Sequence, residues 1–262
     1  MVDLKYIRKR KTRRIIAAVG ASCAATAIIL MAIALLGQRA APLTITLSNS
    51  GAQLALSNFL EEDSNAIYLV AEQTPHYTEY CEEQLNLSNE LLEIDDENSQ
   101  ARLTPNGEAT LFYKYTFYVT NKGNSAANYD LTLSMSQPTK NATNRYDVDS
   151  ILRVRFYENK VYEDEELNKH HYVTYAKKSA EPHEDENGNL SWKEEISALG
   201  GYAEEFTNSK TILTSTVTDL GPKEKIRYTF VFWLEGDDPQ CMGEAPVDSA
   251  LILGVEISAR KS

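Results

Sequence analysis

Several stretches of this chain alternate apolar and polar side chains with a period of two, and that period belongs to the pleated strand and not to the helix. In Leu111–Val119 the residues Leu111, Tyr113, Tyr115, Phe117 and Val119 fall on one face, and Phe112, Lys114, Thr116 and Tyr118 on the other. After Asn121–Asn124 (NKGN), a turn by composition, the alternation resumes with Tyr129, Leu131, Leu133 and Met135 against Asp130, Thr132 and Ser134. The two runs read as a β-hairpin. Leu152, Val154 and Phe156 alternate with Arg153 and Arg155. Ile226, Tyr228, Phe230, Phe232 and Leu234 share a face, preceded by the breaker Gly221-Pro222. Leu251, Leu253, Val255 and Ile257 form a last apolar row. Weaker strands are expected at Leu43–Leu47, Ala66–Val70, His171–Ala176 and Lys210–Val217.

One-sided alternation implies sheets with one dry and one wet face, and two dry faces must pack together. The expected fold is therefore all-β, an antiparallel β-sandwich spanning residues 38–262. The single helical hint in this part is Tyr77–Leu92, where Tyr80, Gln84, Leu87 and Leu91 have helical spacing. Glu181–Asn189 (EPHEDENGN) reads as a solvated hairpin tip, and Asp95–Asn98 as a second acidic loop.

The N-terminus follows another rule. Ile15–Gly37 contains no charged side chain. At 1.5 Å per residue this run of roughly 23 residues is about 34 Å long, enough to cross a hydrocarbon core of about 30 Å. A helix also satisfies its own backbone in lipid. Residues 1–14 carry Lys5, Arg8, Lys9, Arg10, Lys11, Arg13 and Arg14 against Asp3 alone. The positive-inside rule places this basic tail in the cytoplasm and residues 38–262 outside, with 15–37 as a single-pass signal anchor in the cell membrane. A cleaved signal peptide is the rival. Its cleavage after Ala40 would set Gln38 at −3, and after Ala41 would set Arg39 there with Pro42 at +1, both poor sites. Cys23 after Gly20, Ala21 and Ser22 lacks the aliphatic residue of a lipoprotein box and reads as a membrane-buried thiol.

The net charge of −12 hides this asymmetry: residues 1–37 carry +6, which leaves −18 on the remainder. A domain so acidic repels polyanions, and nucleic acid is not an expected partner.

Catalytic motifs are not found. His76, His170, His171 and His183 form no HExxH pair, and there is no GxSxG elbow or phosphate-binding glycine loop. The acids Glu235, Asp237 and Asp238, and Glu181, Glu184, Asp185, Glu186 and Asn187, crowd two loops without the spacing of a calcium-binding loop. They read as solvated charge. No enzyme activity and no cofactor are expected. Cys81 and Cys241 are the two cysteines of the exported part. An even number in an oxidising compartment suggests a disulfide. It would close a loop of about 160 residues and contribute on the order of 5 kcal/mol. Two free thiols are the alternative.

Tyr118-Val119-Thr120-Asn121-Lys122-Gly123 resembles the strand and T-N-x-G turn of the TasA and camelysin-like exported proteins of Gram-positive bacteria. The run Tyr228-Thr229-Phe230-Val231-Phe232-Trp233-Leu234-Glu235-Gly236-Asp237-Asp238-Pro239, followed by Cys241, is similar to a W-L-E-G-x-D segment near the C-terminus of exported proteins around that family. There too it precedes a final strand like Val255–Ala259. The resemblance covers roughly a third of the chain. It implies a jelly-roll sandwich assembled on the cell surface, as in a biofilm matrix, whose fibre-forming members pass an N-terminal strand to the next subunit. The corresponding donor strand here is Leu43, Ile45 and Leu47, which alternate with Thr44, Thr46 and Ser48. Completion of its own domain by the same strand is the competing possibility. Family members usually have a cleavable signal, which this anchor does not resemble. Some relatives are labelled metallopeptidases, but no metal-ligand motif matches here and no catalytic residue is carried over.

The function these features favour is a membrane-anchored extracellular structural or adhesion module. It would associate by strand addition with another copy, or with a cell-surface protein or polymer. The alternative is an anchored binding or sensor module for a soluble ligand or cell-wall polymer. An exposed apolar patch formed by the aromatics assigned to outer faces, Phe112, Tyr118 and Trp233, would favour that alternative.

Overall fold

The computed structural model describes residues 43–48, 53–70, 79–80, 113–136, 146–161, 172–179, 182–184, 187–196, 201–235 and 251–260. All belong to one unit, Ala41–Ser262. The basic tail, the apolar segment 15–37, Cys23, Cys81 and Cys241 lie outside the described residues. Among the described residues no helix is long and apolar enough to cross a membrane.

In chain order the strands are β1 (Leu43–Ser48), β2 (Leu54–Ser57), β3 (Tyr68–Val70), β4 (Glu79–Tyr80), β5 (Tyr113–Asn121), β6 (Ala127–Met135), β7 (Leu152–Lys160) and β8 (Tyr172–Ala176). They continue with β9 (His183–Glu184), β10 (Leu190–Ser191), β11 (Glu195–Ile196), β12 (Gly201–Tyr202), β13 (Glu204–Glu205), β14 (Thr211–Leu220), β15 (Lys225–Glu235) and β16 (Leu253–Arg260). A 3-10 turn at Val148–Ser150 is the one helical element among the described residues.

The first main sheet runs β14-β6-β16-β1-β3 and the second β13-β8-β7-β15-β5-β2, with β4 also paired to β15. The expected apolar rows meet between the two sheets. Leu43, Ile45, Tyr129, Leu131, Leu133, Val255 and Ile257 from the first join Tyr113, Phe117, Val119, Val154, Tyr228 and Phe230 from the second in one buried cluster. The fold is thus all-β and sandwich-like. Aromatic rings carry much of the second sheet's inner face, with Phe230 5.1 Å from Phe156, 5.8 Å from Phe232 and 6.2 Å from Phe117 between centroids. Offset rings at this spacing add to the area they bury. The acidic tip is a hairpin as expected, with β9 and β10 antiparallel.

Four expectations are corrected. The sheets are mixed, not purely antiparallel: β1 pairs parallel with β16, Leu43 opposite Leu253 and Leu47 opposite Ile257, and β13–β8 and β15–β4 are also parallel. Alternation fixes which face a residue occupies but not strand direction, and strands about two hundred residues apart leave no turn to betray it.

The hairpin is also wrong. β5 pairs with β15 and β2, and β6 with β14 and β16, so the NKGN segment is an arch that crosses between sheets. Both strands carry a full apolar row. In separate sheets those rows face each other across the core.

The central strands β5, β7 and β15 of the second sheet, moreover, are buried on both faces. Lys114, Thr116, Tyr118, Arg153, Arg155, Thr229, Val231 and Trp233 are all under 7% exposed. The first sheet keeps the expected one-sided pattern, with Asn128, Asp130, Thr132 and Ser134 half-buried between buried neighbours.

Finally, Glu79–Tyr80, inside the expected helix, is a strand, paired through Leu234–Glu79 and Glu235–Tyr80. The rest of Tyr77–Leu92 lies outside the described residues.

Candidate functional site

Among the described residues, a polar centre lies between the two sheets. Tyr129 of β6 and Tyr228 of β15 are fully buried and their hydroxyls meet at 2.7 Å, a hydrogen bond bridging the two sheets. Beside them, Ser215 Oγ of β14 donates to Glu158 Oε2 of β7. Burial, before anything else, holds both phenols well above their ordinary value, and the negative charge of Glu158 pushes the same way. Tyr175 of β8 is raised by burial first, then by Glu204 and Glu158. Burial pushes Tyr115 up to about 12; its hydroxyl donates to Asn58 Oδ1 at 2.7 Å. Of these phenols, the Tyr129–Tyr228 pair joins the two sheets.

Their titration carries a prediction. A phenol raised above its unfolded value near 10 stays protonated while the unfolded chain ionises. Its stabilisation is complete below about pH 10 and is lost as pH rises from there toward the folded values. The urea midpoint should fall across pH 10–12. Tyr129→Phe or Tyr228→Phe alone strands a buried hydroxyl and should cost about 1–3 kcal/mol near neutral pH, and the double variant less than the two singles together. The double variant should also flatten the alkaline slope. Additive single costs with an unchanged slope would contradict the bridge.

The outer face of the second sheet holds a buried cation among aromatics. The Arg155 guanidinium carbon lies 4.3 Å from the Tyr172 ring centroid and 5.6 Å from that of Trp233, and its Nε donates to Thr174 Oγ1 at 3.3 Å. Trp233 Nε1 donates to Glu235 Oε2 at 3.0 Å. Arg153 approaches Glu194 at 3.5 Å, and Lys177 donates to both oxygens of the buried Asp149 at 3.0 Å. Buried guanidinium on aromatic faces, with its donors engaged, is internal packing.

Of the residues singled out in the sequence, Leu43 and Ile45 are fully buried and Leu47 is half-buried. All three lie in β1, seated between β16 and β3 of their own domain. Tyr118 and Trp233 are 4% and 1% exposed, so neither contributes to an exposed aromatic patch. Phe112 lies outside the described residues, as do His76, His170, His171, Asp95–Asn98, Glu181, Asp185, Glu186, Asp237 and Asp238. Glu235 is buried and accepts from Trp233; Glu184 is exposed in the β9–β10 hairpin. Among the described residues no group of three or more His, Cys, Asp or Glu is placed to hold a metal ion.

Sequence reasoning did not identify the sheet margins. Among the described strands of the two main sheets the end strands are β3, β2 and β13, of three, four and two residues, and β14, of ten. Three are too short to template another chain, and the fourth is not. β14 reads TILTSTVTDL, with no charge before Asp219 and no proline. Its bareness was available in the sequence; that it would be a margin was not.

Comparison of the chain with protein-family models, with curated proteins and with solved structures returned no match.

Proposed function

We propose that this protein is a membrane-anchored extracellular structural or adhesion module, without enzymatic activity, that associates by β-strand addition. The observation that carries this reading is a two-sheet core that leaves a long strand, uncharged before Asp219, at a sheet margin. Such a margin presents main-chain donors and acceptors to an added strand. The charge-free segment 15–37 behind seven cations supports a single-pass anchor in the cell membrane with the N-terminus inside. The chain crosses repeatedly between the two sheets (β1, β3, β6, β14 and β16 in one, β2, β5, β7, β8 and β15 in the other), which supports a jelly-roll arrangement. The partners we infer are the bilayer and either another copy or a cell-surface protein or polymer. The ligand-binding alternative loses the feature that would favour it, because Tyr118 and Trp233 are buried.

The test is topological first. In a chain whose three native cysteines are replaced by serine, single cysteines at Asp3 and Asp185 are exposed to an impermeant maleimide on intact cells. Labelling at 185 and protection at 3 is the expected result. Labelling at 3 alone, or at both, rejects the anchored orientation. Cells displaying the chain should then clump more than cells lacking it, and equal clumping would count against adhesion.

A further inference from the structure

We propose that the β14 margin is a self-recognition surface, where a second copy of this chain adds its own β14 antiparallel about a two-fold axis at Ser215. The proposal rests on the strand-addition reading and names both the edge and the occupant.

Hydrogen bonds at the C-terminal end of β6 set the ladder. Met135 N donates to Lys210 O at 2.8 Å, and Ser136 N to Ile252 O at 2.8 Å. In an antiparallel ladder successive residues point their N–H and C=O to opposite sides. Odd positions of β6 therefore bond toward β14, and even ones toward β16. Leu213 lies opposite Leu133, Ser215 opposite Leu131 and Val217 opposite Tyr129. These three carry the bonds to β6. Thr214 and Thr216 consequently aim both main-chain groups away from the sheet. Their side chains are exposed.

The two ends of the strand are closed to pairing. Thr207 N donates to Ile212 O at 3.1 Å and Asn208 N to Thr211 O at 3.0 Å, so the preceding turn occupies the start of the edge. Register shifts fall between Thr211 and Leu213 and between Val217 and Leu220, and Asp219 sits in the left-handed region at φ 57°. What remains is the straight stretch Leu213–Val217, centred on Ser215. A two-fold axis there sets Thr214 of one copy against Thr216 of the other. Both residues point outward, so each such pair exchanges two hydrogen bonds, and the axis generates the pair twice.

The side chains suit this occupant. Threonine against threonine is a favourable cross-strand pair. Like charges repel two copies of a domain carrying about −18, and this stretch has none to bring together. The nearest acid on the outer face, Asp130, is held by Arg260 and accepts from Thr216 Oγ1 at 2.7 Å, so the patch is locally neutral. Lysine, proline or a mid-strand bulge, the usual defences of a sheet edge, are missing from Leu213–Val217.

The experiment uses the full chain, purified in detergent in two differently tagged forms. Co-capture and sedimentation are read over a range of concentrations. Thr214→Pro deletes an outward N–H without touching the ladder to β6, which a margin tolerates. Thr214→Lys places like charges across the axis and keeps the main chain intact. Near-UV circular dichroism reports folding of both. Wild-type chain should associate, and each folded variant should show an association constant lower by about tenfold or more, because the axis doubles every lost contact. If Thr214→Pro does not fold, Thr214→Lys decides alone. Undiminished association in a folded variant overturns the β14 interface and leaves strand addition through another segment standing. Wild-type chain that is monomeric at every concentration overturns both.

Discussion

Phe230→Ala should be among the most damaging single substitutions in the domain. Phe230 is fully buried at the centre of β15, the strand between β7 and β5, and its ring is surrounded by Phe156, Phe232 and Phe117. Truncation removes the buried ring and leaves a cavity that β strands locked on both sides cannot close. The expected cost is about 3–5 kcal/mol. For a domain of this size that lowers the melting temperature by roughly 6–20 °C. The comparison is Thr229→Ala, one residue away. Thr229 is not on a wet face: it is 6% exposed, and its hydroxyl shares a 2.8 Å hydrogen bond with Thr116 Oγ1. Losing that bond should cost about 1–2 kcal/mol, more than a surface threonine and less than Phe230. The check is urea denaturation of a chain beginning at Ala41, followed by tryptophan fluorescence. A Thr229 variant as unstable as the Phe230 variant would mean that the inner row of β15 has been assigned to the wrong face.

The inner rows were legible because a sandwich core imposes period two on every strand that lines it. Tyr113, Phe117, Leu131, Leu133, Tyr228, Phe230, Val255 and Ile257 all point where alternation placed them. Local pattern has no information about which strands are neighbours. The NKGN segment has the composition of a hairpin turn, yet β5 and β6 leave it for different sheets. A turn and an inter-sheet arch demand the same small, polar, flexible residues, so composition cannot separate them. The second sheet's outer row misled for another reason. Lys114, Arg153, Arg155 and Thr229 look like a wet face, but each is buried. Long cationic side chains cover apolar surface with their stems and stack on rings, as Arg155 does on Tyr172. The β14 margin was illegible in a third way: TILTSTVTDL reads equally as an interior strand, and only its single neighbour makes it an edge.

Asn121→Ala should be the costliest substitution of a polar residue outside the tyrosine bridge. Two inter-sheet arches lie side by side, residues 122–126 from β5 to β6 and residues 221–224 from β14 to β15, and Asn121 ties them together. Its Nδ2 donates to Ser125 O at 2.8 Å in the first arch and to Leu220 O at 2.9 Å at the start of the second. Its Oδ1 accepts from Gly123 N at 2.8 Å, an Asx-type closure of the first arch. Its main chain joins in: Asn121 N donates to Glu224 O at 3.0 Å and Lys223 N to Asn121 O at 2.8 Å. The residue is 1% exposed, so water cannot replace the lost amide at Leu220 O. Alanine removes three hydrogen bonds and leaves a buried carbonyl without its donor, for an expected cost of about 2–4 kcal/mol. Asn121→Asp should be at least as harmful, because a carboxylate turns an oxygen toward two carbonyls where an amide donated. Asn124→Ala, exposed in the same arch, should stay within about 0.5 kcal/mol of the parent. Urea midpoints of the three variants decide the matter. If Asn121→Ala proves no costlier than Asn124→Ala, the arches hold their course without the amide, and the inter-sheet crossing is fixed by the packing of the β5 and β6 inner rows alone.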